Sequence, residues 1–369
     1  MCNKKIINVV RSSMPSFDEY VDEIKDLWES HWLTNNGAKH QMFEQSLEQY
    51  LNSKNVVLFV NGHSALEAAI ASFNFPRGSE IITTPFTFIS TTNAIIRNDL
   101  VPIFCDINEK DFTINVSNIE SLITNKTVAI LAVHVYGDIC DVESIDRIAK
   151  KHNLKVIYDA AHAFGVKYNG LPIANYGDVS MFSFHATKVF HSIEGGCITT
   201  NSDCLAQEME VYKNFGLASS GEGGDMVGPN FKMNEFQAAM GICNLRHIDE
   251  YIYQRKKVFE KYHSILKNKK TLRVLSLQPN VTPNYSYYPV IFESNFIRDK
   301  VFEELKKHFI TARKYFYPCT NEFSSLKKYN KQSTPIAKAL SERVLALPFY
   351  ADLLPEDVTR ICEIVIKNC

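Results

Sequence analysis

The sequence predicts an α/β protein: a large domain on a mostly parallel sheet, then a smaller C-terminal α/β domain. Three observations carry this. From about residue 55 onward, short apolar runs alternate with helical patterns, as in a parallel sheet covered on both faces. The 369 residues exceed what one small core organises and suit two domains. After a long amphipathic helical pattern that starts at Asn234, the spacing of elements changes, which sets the division at residues 1–248 and 249–369.

The elements follow in order. Val56–Val60 reads as a buried strand. Asn61-Gly62 turns it into a helix, with Ser64 as N-cap and Glu67 at capping-box spacing. Further strands are expected at Glu80–Thr84, Val101–Cys105, Val128–Val135, Lys155–Asp159, Val179–Phe184 and Gly196–Thr200, and an amphipathic helix at Val142–His152. Gly216–Asn230, with Gly221, Gly223, Gly224 and Gly228, reads as a glycine-rich loop, mobile or ordered against a partner or ligand. The helical pattern from Asn234 extends beyond Tyr253. Tyr285–Phe292, a helix around Phe302–His308 and a last helix near Glu356–Lys367 form the smaller domain.

Composition excludes some partners. Forty basic residues face 41 acidic ones, for a net charge of -1, so no global field favours nucleic acid or an anionic membrane. The Arg255-Lys256-Lys257 run reads as a solvated helix face. The nine cysteines make no C-x-x-C pair, which suits a reducing compartment rather than a disulfide framework. The N-terminus has no apolar segment of signal-peptide type, and no apolar run has the length of a membrane span. A soluble, cytoplasmic protein is expected.

Several residues stand where chemistry is done. In a doubly wound sheet, ligands lie outside the carboxyl ends of the strands. That rule gathers Asn61-Gly62, Thr84-Pro85, Tyr136-Gly137 and Asp159. Asp159 ends an apolar strand. A carboxylate there is costly to leave unpaired, so it reads either as a turn or cap residue or as the partner of a cationic ring nitrogen. Lys188 follows the strand Val179–Phe184 and precedes Glu194-Gly195-Gly196. It reads as a surface lysine or as an amine nucleophile in a half-buried place. Ser183 reads as a strand serine or a phosphate ligand. The turn at Asn61-Gly62-His63-Ser64 would expose N–H groups at a helix N-terminus, a ready phosphate site. Phe88 reads as core packing or as a surface for a flat ring. There is no G-x-G-x-x-G after a strand, no P-loop, no zinc spacing and no G-x-S-x-G elbow.

These motifs in this order resemble the DegT/DnrJ/EryC1/StrS family of sugar-nucleotide aminotransferases. The likeness runs through Asn61-Gly62-His63-Ser64-Ala65-Leu66, Thr84-Pro85-Phe86-Thr87-Phe88, Val133-His134-Val135-Tyr136-Gly137 and Asp159-Ala160-Ala161-His162-Ala163-Phe164-Gly165. It continues in Phe182-Ser183-Phe184-His185-Ala186-Thr187-Lys188, Glu194-Gly195-Gly196 and Asn230-Phe231-Lys232-Met233-Asn234-Glu235. The resemblance implies the fold-type I architecture of pyridoxal-5'-phosphate (PLP) enzymes and a homodimer with shared active sites.

By that match Lys188 would carry the cofactor covalently and move protons. Asp159 would pair with its pyridine nitrogen, and Phe88 would stack on the ring. His162, where the family usually has glutamine, would stand near the phenolic oxygen. Gly62, His63, Ser64 and Ser183 would hold the phosphate, with Asn230 reaching it from the other subunit. His185, Glu194, Arg313 and Tyr315 are the substrate-binding candidates. Two departures stand out: His63 replaces the usual threonine and Lys232 the usual arginine. Leu33-Thr34-Asn35-Asn36-Gly37, Ile157–Val166 and Phe184–Phe190 look like members that aminate dTDP-4-keto-6-deoxy-D-glucose, with L-glutamate as donor. The carrier, dTDP or UDP, stays open.

Three rivals differ in class. A sugar dehydratase of the same family would carry histidine at position 188. A non-catalytic homologue would have lost part of the Lys188, Asp159 and Ser183 set. A nucleotide-dependent oxidoreductase would show the missing glycine fingerprint.

Overall fold

The computed structural model describes residues 6–217 and 226–369. The glycine-rich segment is therefore described only at its ends, and Gly221, Gly223 and Gly224 lie outside the described residues.

Alternating burial builds the main sheet. Along β1 (Asn55–Phe59), Val56 and Leu58 pack into one core while Val57 and Phe59 pack into another, the period of two that places successive side chains on opposite faces. The other strands are β2 (Glu80–Thr83), β3 (Val101–Phe104), β4 (Thr127–Val133), β5 (Lys155–Asp159), β6 (Val179–Ser183) and β7 (Gly196–Thr200). The order is β1-β7-β6-β5-β4-β2-β3. Every pairing is parallel except the two that β7 makes. The expected strands lie within two residues of these bounds, and the helix Val142–His152 is found as read.

Register brings the functional edge together. Val133 pairs with Asp159 and Asp159 with Met181, while Gly196 stands opposite both Ser183 and Phe59. The carboxyl ends of β1, β4, β5 and β6 and the start of β7 thus share one rim, with Asn61 just beyond it.

A second sheet of β8 (Leu272–Val274), β9 (Pro289–Phe292) and β10 (Val344–Ala346) is antiparallel, in the order β8-β9-β10. It forms a third core with the helices Asn295–Lys307 and Pro355–Asn368. Residue 248 falls inside the unbroken helix Glu235–Leu266, which contributes Ile248 to the first core and Tyr262 to the third. Ile7 also belongs to the third core and bridges to Ile310. No helix among the described residues is long and apolar enough to cross a membrane.

Two readings of the sequence are corrected. Asn61, not Ser64, caps the helix Gly62–Ala71, accepting from the Ser64 N–H at 2.8 Å. Gly62 and His63 already lie in the first turn, so the cap sits upstream, and Glu67 is held instead by Arg97 Nε at 2.6 Å. Arg255 is not solvated. The helix passes under residues 285–288, and the buried guanidinium donates to the Tyr285 and Ser286 carbonyls at 3.3 Å each. Lys256 and Lys257 beside it are exposed.

The helix Glu235–Leu266 packs on the helix Ala38–Leu51 through Gly241, where a Cβ would lie 2.7 Å from Phe43 Cε1. Alanine in a helix normally gains about 1 kcal/mol over glycine. Overpacking costs about 1–3 kcal/mol, and with Phe43 wholly buried the clash wins. Gly241→Ala should lower the denaturant midpoint. An unchanged or raised midpoint would contradict this packing.

Candidate active site

The rim of the sheet opens into a cavity of about 440 Å³. Asn61, Gly62, His63, Phe88, Asp159, His162, Ser183, His185, Lys188, Glu194, Arg313 and Tyr315 all line it. Of the site residues expected from sequence, the structure leaves out two. Ser64 is buried behind the rim, with its N–H on Asn61. Asn230 is exposed and bridges to Asn214, away from this chain's cavity.

Lys188 sits on the loop between β6 and β7. That loop is closed at its base by Phe184 N–H to Gly195 O at 2.8 Å and Ser192 N–H to Phe184 O at 3.0 Å. It stands on packed rings: Phe164 stacks on Phe190 with centroids 4.3 Å apart, and Phe184 meets Phe190 edge-on at 4.9 Å. The lysine is thereby held in the cavity rather than released to solvent. Burial lowers its pKa, with Tyr315 and Asp159 opposing. A fraction of free amine is what a nucleophile or proton carrier needs.

Asp159 is 5% exposed. Thr91 Oγ1 donates to its Oδ2 at 2.7 Å and the Ala161 N–H to its Oδ1 at 3.1 Å. Burial raises its pKa, while both hydrogen bonds and the charge of Lys188 lower it. Thr91 was not legible in sequence, because a threonine inside the helix Ile89–Arg97 carries no signal of its own.

His162 accepts the Tyr136 N–H on Nδ1 at 3.1 Å. Its proton therefore lies on Nε2, as a donor. Burial and then Lys188 hold it well below the usual imidazole range, so the ring is neutral. It lies parallel to Phe316, 6.0 Å between centroids. Phe316 also lines the cavity.

Phe88 is 54% exposed whereas Phe86 is wholly buried, so Phe86 is the core ring and Phe88 lies at the cavity wall. At the other end, Gly62 and Gly196 let the helix N-terminus touch the sheet. A Cβ on Gly196 would lie 2.7 Å from Gly62 N, and one on Gly62 would lie 2.8 Å from Ser183 Cβ. This leaves first-turn N–H groups beside the Ser183 hydroxyl, a cradle for a phosphate.

Residues far apart in the chain form the remaining side of the cavity. His185 hydrogen-bonds Thr187 through Nδ1 at 2.7 Å, and its Nε2 lies 3.5 Å from Glu194 Oε1. Arg313 is delivered by its bridge to Ala346 at the edge of β10. The Tyr136 hydroxyl donates to the Tyr315 carbonyl. Burial pushes the Tyr315 phenol up to about 12.

A flat ring bearing a phosphate, a carbonyl and a basic nitrogen fits this arrangement: amine, carboxylate, exposed ring and anion cradle all face one cavity. The family model of the DegT/DnrJ/EryC1/StrS aminotransferases matches residues 17–366. The chain belongs to the DegT/DnrJ/EryC1/StrS aminotransferase family. It is 37% identical to dTDP-4-amino-4,6-dideoxy-D-glucose transaminase of Shigella dysenteriae over 353 residues, 95% of each chain. It is also 37% identical to the Escherichia coli protein of that name over 372 residues, 99% of each. Its structure superposes on that of DesI determined in the presence of its TDP-sugar product, with a TM-score of 0.92 and 28% identity over 98% of this chain and 92% of that one. This family member is an aminotransferase of fold-type I architecture with pyridoxal phosphate as cofactor.

Losing a hydrogen bond to a charged group costs about 1.5–3 kcal/mol. Thr91→Val leaves Asp159 with one donor fewer, so its pKa rises further. The acidic limb of the aminotransferase pH profile should move to higher pH, with kcat reduced about tenfold or more. An unmoved acidic limb would show that Thr91 does not tune this carboxylate.

Proposed function

We propose that this chain transfers the amino group of L-glutamate to C4 of a nucleotide-linked 4-keto-6-deoxy sugar. The substrate is dTDP-4-keto-6-deoxy-D-glucose, and the products are dTDP-4-amino-4,6-dideoxy-D-glucose and 2-oxoglutarate. One observation carries the reading: Lys188 and Asp159 face the same cavity, beside a ring surface and a phosphate cradle. The names of the two transaminases reported above support the sugar, and the nucleotide product held by DesI supports the carrier.

The bound cofactor supplies an electron sink for the carbanion at the amino carbon. The protein supplies position and protons. Lys188 Nζ takes the α-proton of glutamate and later delivers one to C4 of the sugar. Asp159 would keep a proton on the heterocyclic nitrogen. His162 Nε2–H would serve the phenolic oxygen, and Phe88 would cover a ring face. The Gly62 and His63 N–H groups and the Ser183 hydroxyl would hold the phosphate. Ser64 is left out, since only its backbone reaches Asn61. Arg313, Tyr315, His185 and Glu194 bind the substrates, with the guanidinium serving carboxylate and diphosphate. Positioned proton transfer of this kind contributes ~10²–10⁴-fold.

The working unit is a homodimer in the cytoplasm, with Asn230 reaching the neighbouring cofactor phosphate. Phe17, Trp28 and Trp32 are 81%, 65% and 57% exposed, and such surface aromatics are what interface cores are made of. Sedimentation should give a dimer mass for the active protein. Full activity in a monomer would overturn the shared site.

Lys188→Ala should abolish both the visible absorbance of the bound cofactor and turnover with glutamate and the dTDP-linked ketosugar. Steady-state transamination by that variant would overturn the assignment. Preference for the UDP-linked ketosugar by the intact enzyme would overturn the carrier alone.

A further inference from the structure

His63 stands at the cofactor-phosphate end of the cavity, where the family resemblance leads one to expect a threonine. Its ring has a definite seat. Nδ1 lies 2.9 Å from Ser90 Oγ, and Nε2 lies 3.6 Å from Glu67 Oε2. Glu67 is 5% exposed and is gripped by Arg97, Nε at 2.6 Å and Nη2 at 3.3 Å. Ser90 also lines the cavity. The order from the cavity outward is thus Ser90, His63, Glu67 and Arg97. Three helices contribute: Gly62–Ala71, Ile89–Arg97 and Asp203–Lys213, the last bringing the Tyr212 phenol within electrostatic range of the Glu67–Arg97 pair.

We propose that His63 and Ser90 form a proton-linked clamp on the cofactor phosphate, in which His63 takes up a proton from solvent as the phosphate dianion binds. This rests on the cofactor reading above. A neutral imidazole whose Nδ1 accepts from Ser90 uses up the serine's only O–H. The imidazolium is a donor at both nitrogens. Nδ1–H then points at Ser90 Oγ, Nε2–H faces Glu67, and the Ser90 O–H is free to turn to a phosphate oxygen. Protonation thus converts one side chain from competitor to ligand and adds a positive charge beside the dianion. The buried Glu67 carboxylate balances that charge, and Arg97 keeps Glu67 in place. No atom is transferred other than the proton.

The electrostatics of the seat agree in sign. Burial holds the His63 imidazole below its usual range and Arg97 pushes the same way, against Glu67 and the Ser90 contact. A phosphate dianion within a few ångströms raises an imidazole pKa, so binding near neutral pH draws in a proton. The gain is present below the pKa that His63 has in the complex and is lost as pH rises through it.

The test is calorimetric titration of the apo-protein with pyridoxal phosphate in buffers of contrasting ionisation enthalpy, near neutral pH. Wild type should take up more protons per cofactor bound than His63→Gln, which keeps a polar amide but cannot titrate. His63→Thr, which restores a small hydroxyl, should behave like His63→Gln. The affinity advantage of wild type should reach about tenfold, the yield of a one-unit pKa rise, at pH below the free-protein pKa of His63, and should vanish as pH rises through its pKa in the complex. Pyridoxal, which lacks the phosphate, should show no difference between the proteins. Equal proton uptake by wild type and both variants would overturn the clamp, as would the same difference with pyridoxal. Wild-type protein that binds no pyridoxal phosphate would sink the cofactor reading and the clamp with it.

Discussion

A carboxylate buried at the end of a central strand constrains everything around it. Asp159 has almost no access to water, and an ionised carboxylate in such a place is tolerated only with donors or a counter-charge. The fold supplies both. The helix Ile89–Arg97 is aimed so that Thr91 reaches one oxygen, the turn after β5 presents the Ala161 N–H to the other, and Lys188 brings positive charge from the next loop. These donors do not remove the cost of burial entirely, since the carboxyl pKa stays raised. A cationic ring nitrogen beside Asp159 would complete the balance.

The same economy governs the other end of the cavity. Glycine at positions 62 and 196 lets a helix N-terminus rest against the sheet rim, so its backbone N–H groups come to the edge of the cavity. The remaining side is closed by Arg313 on the edge of β10 and by the aromatic contacts of Tyr136, Phe316 and Tyr315. Groups from distant parts of the chain therefore converge on one cavity, and Phe316 shares a core with Val57 and Phe59 of β1.

Much of this was legible in the sequence, for identifiable reasons. Strands buried on both faces read as continuous apolar runs, and their carboxyl ends mark the rim, so Asn61-Gly62 and Asp159 could be placed from position, whereas Lys188 and Ser183 were singled out by the family resemblance. Terminal details were harder. A serine followed by a glutamate three residues on looks like a capping box, yet the asparagine before Gly62 wins the cap and an arginine from another helix takes the glutamate. A run of basic residues looks solvated, yet one of them, Arg255, satisfies backbone carbonyls from a distant segment. Thr91 was invisible because its partner, Asp159, lies far away along the chain. Such tertiary contacts leave no local pattern to read.

The account rests on one amine standing where the cofactor carbonyl must be. Borohydride treatment of the cofactor-loaded enzyme, followed by peptide mass mapping, tests this most directly. The predicted result is a single reduced cofactor adduct, on the peptide at Lys188. An adduct on another lysine, or none despite bound cofactor, would contradict the account.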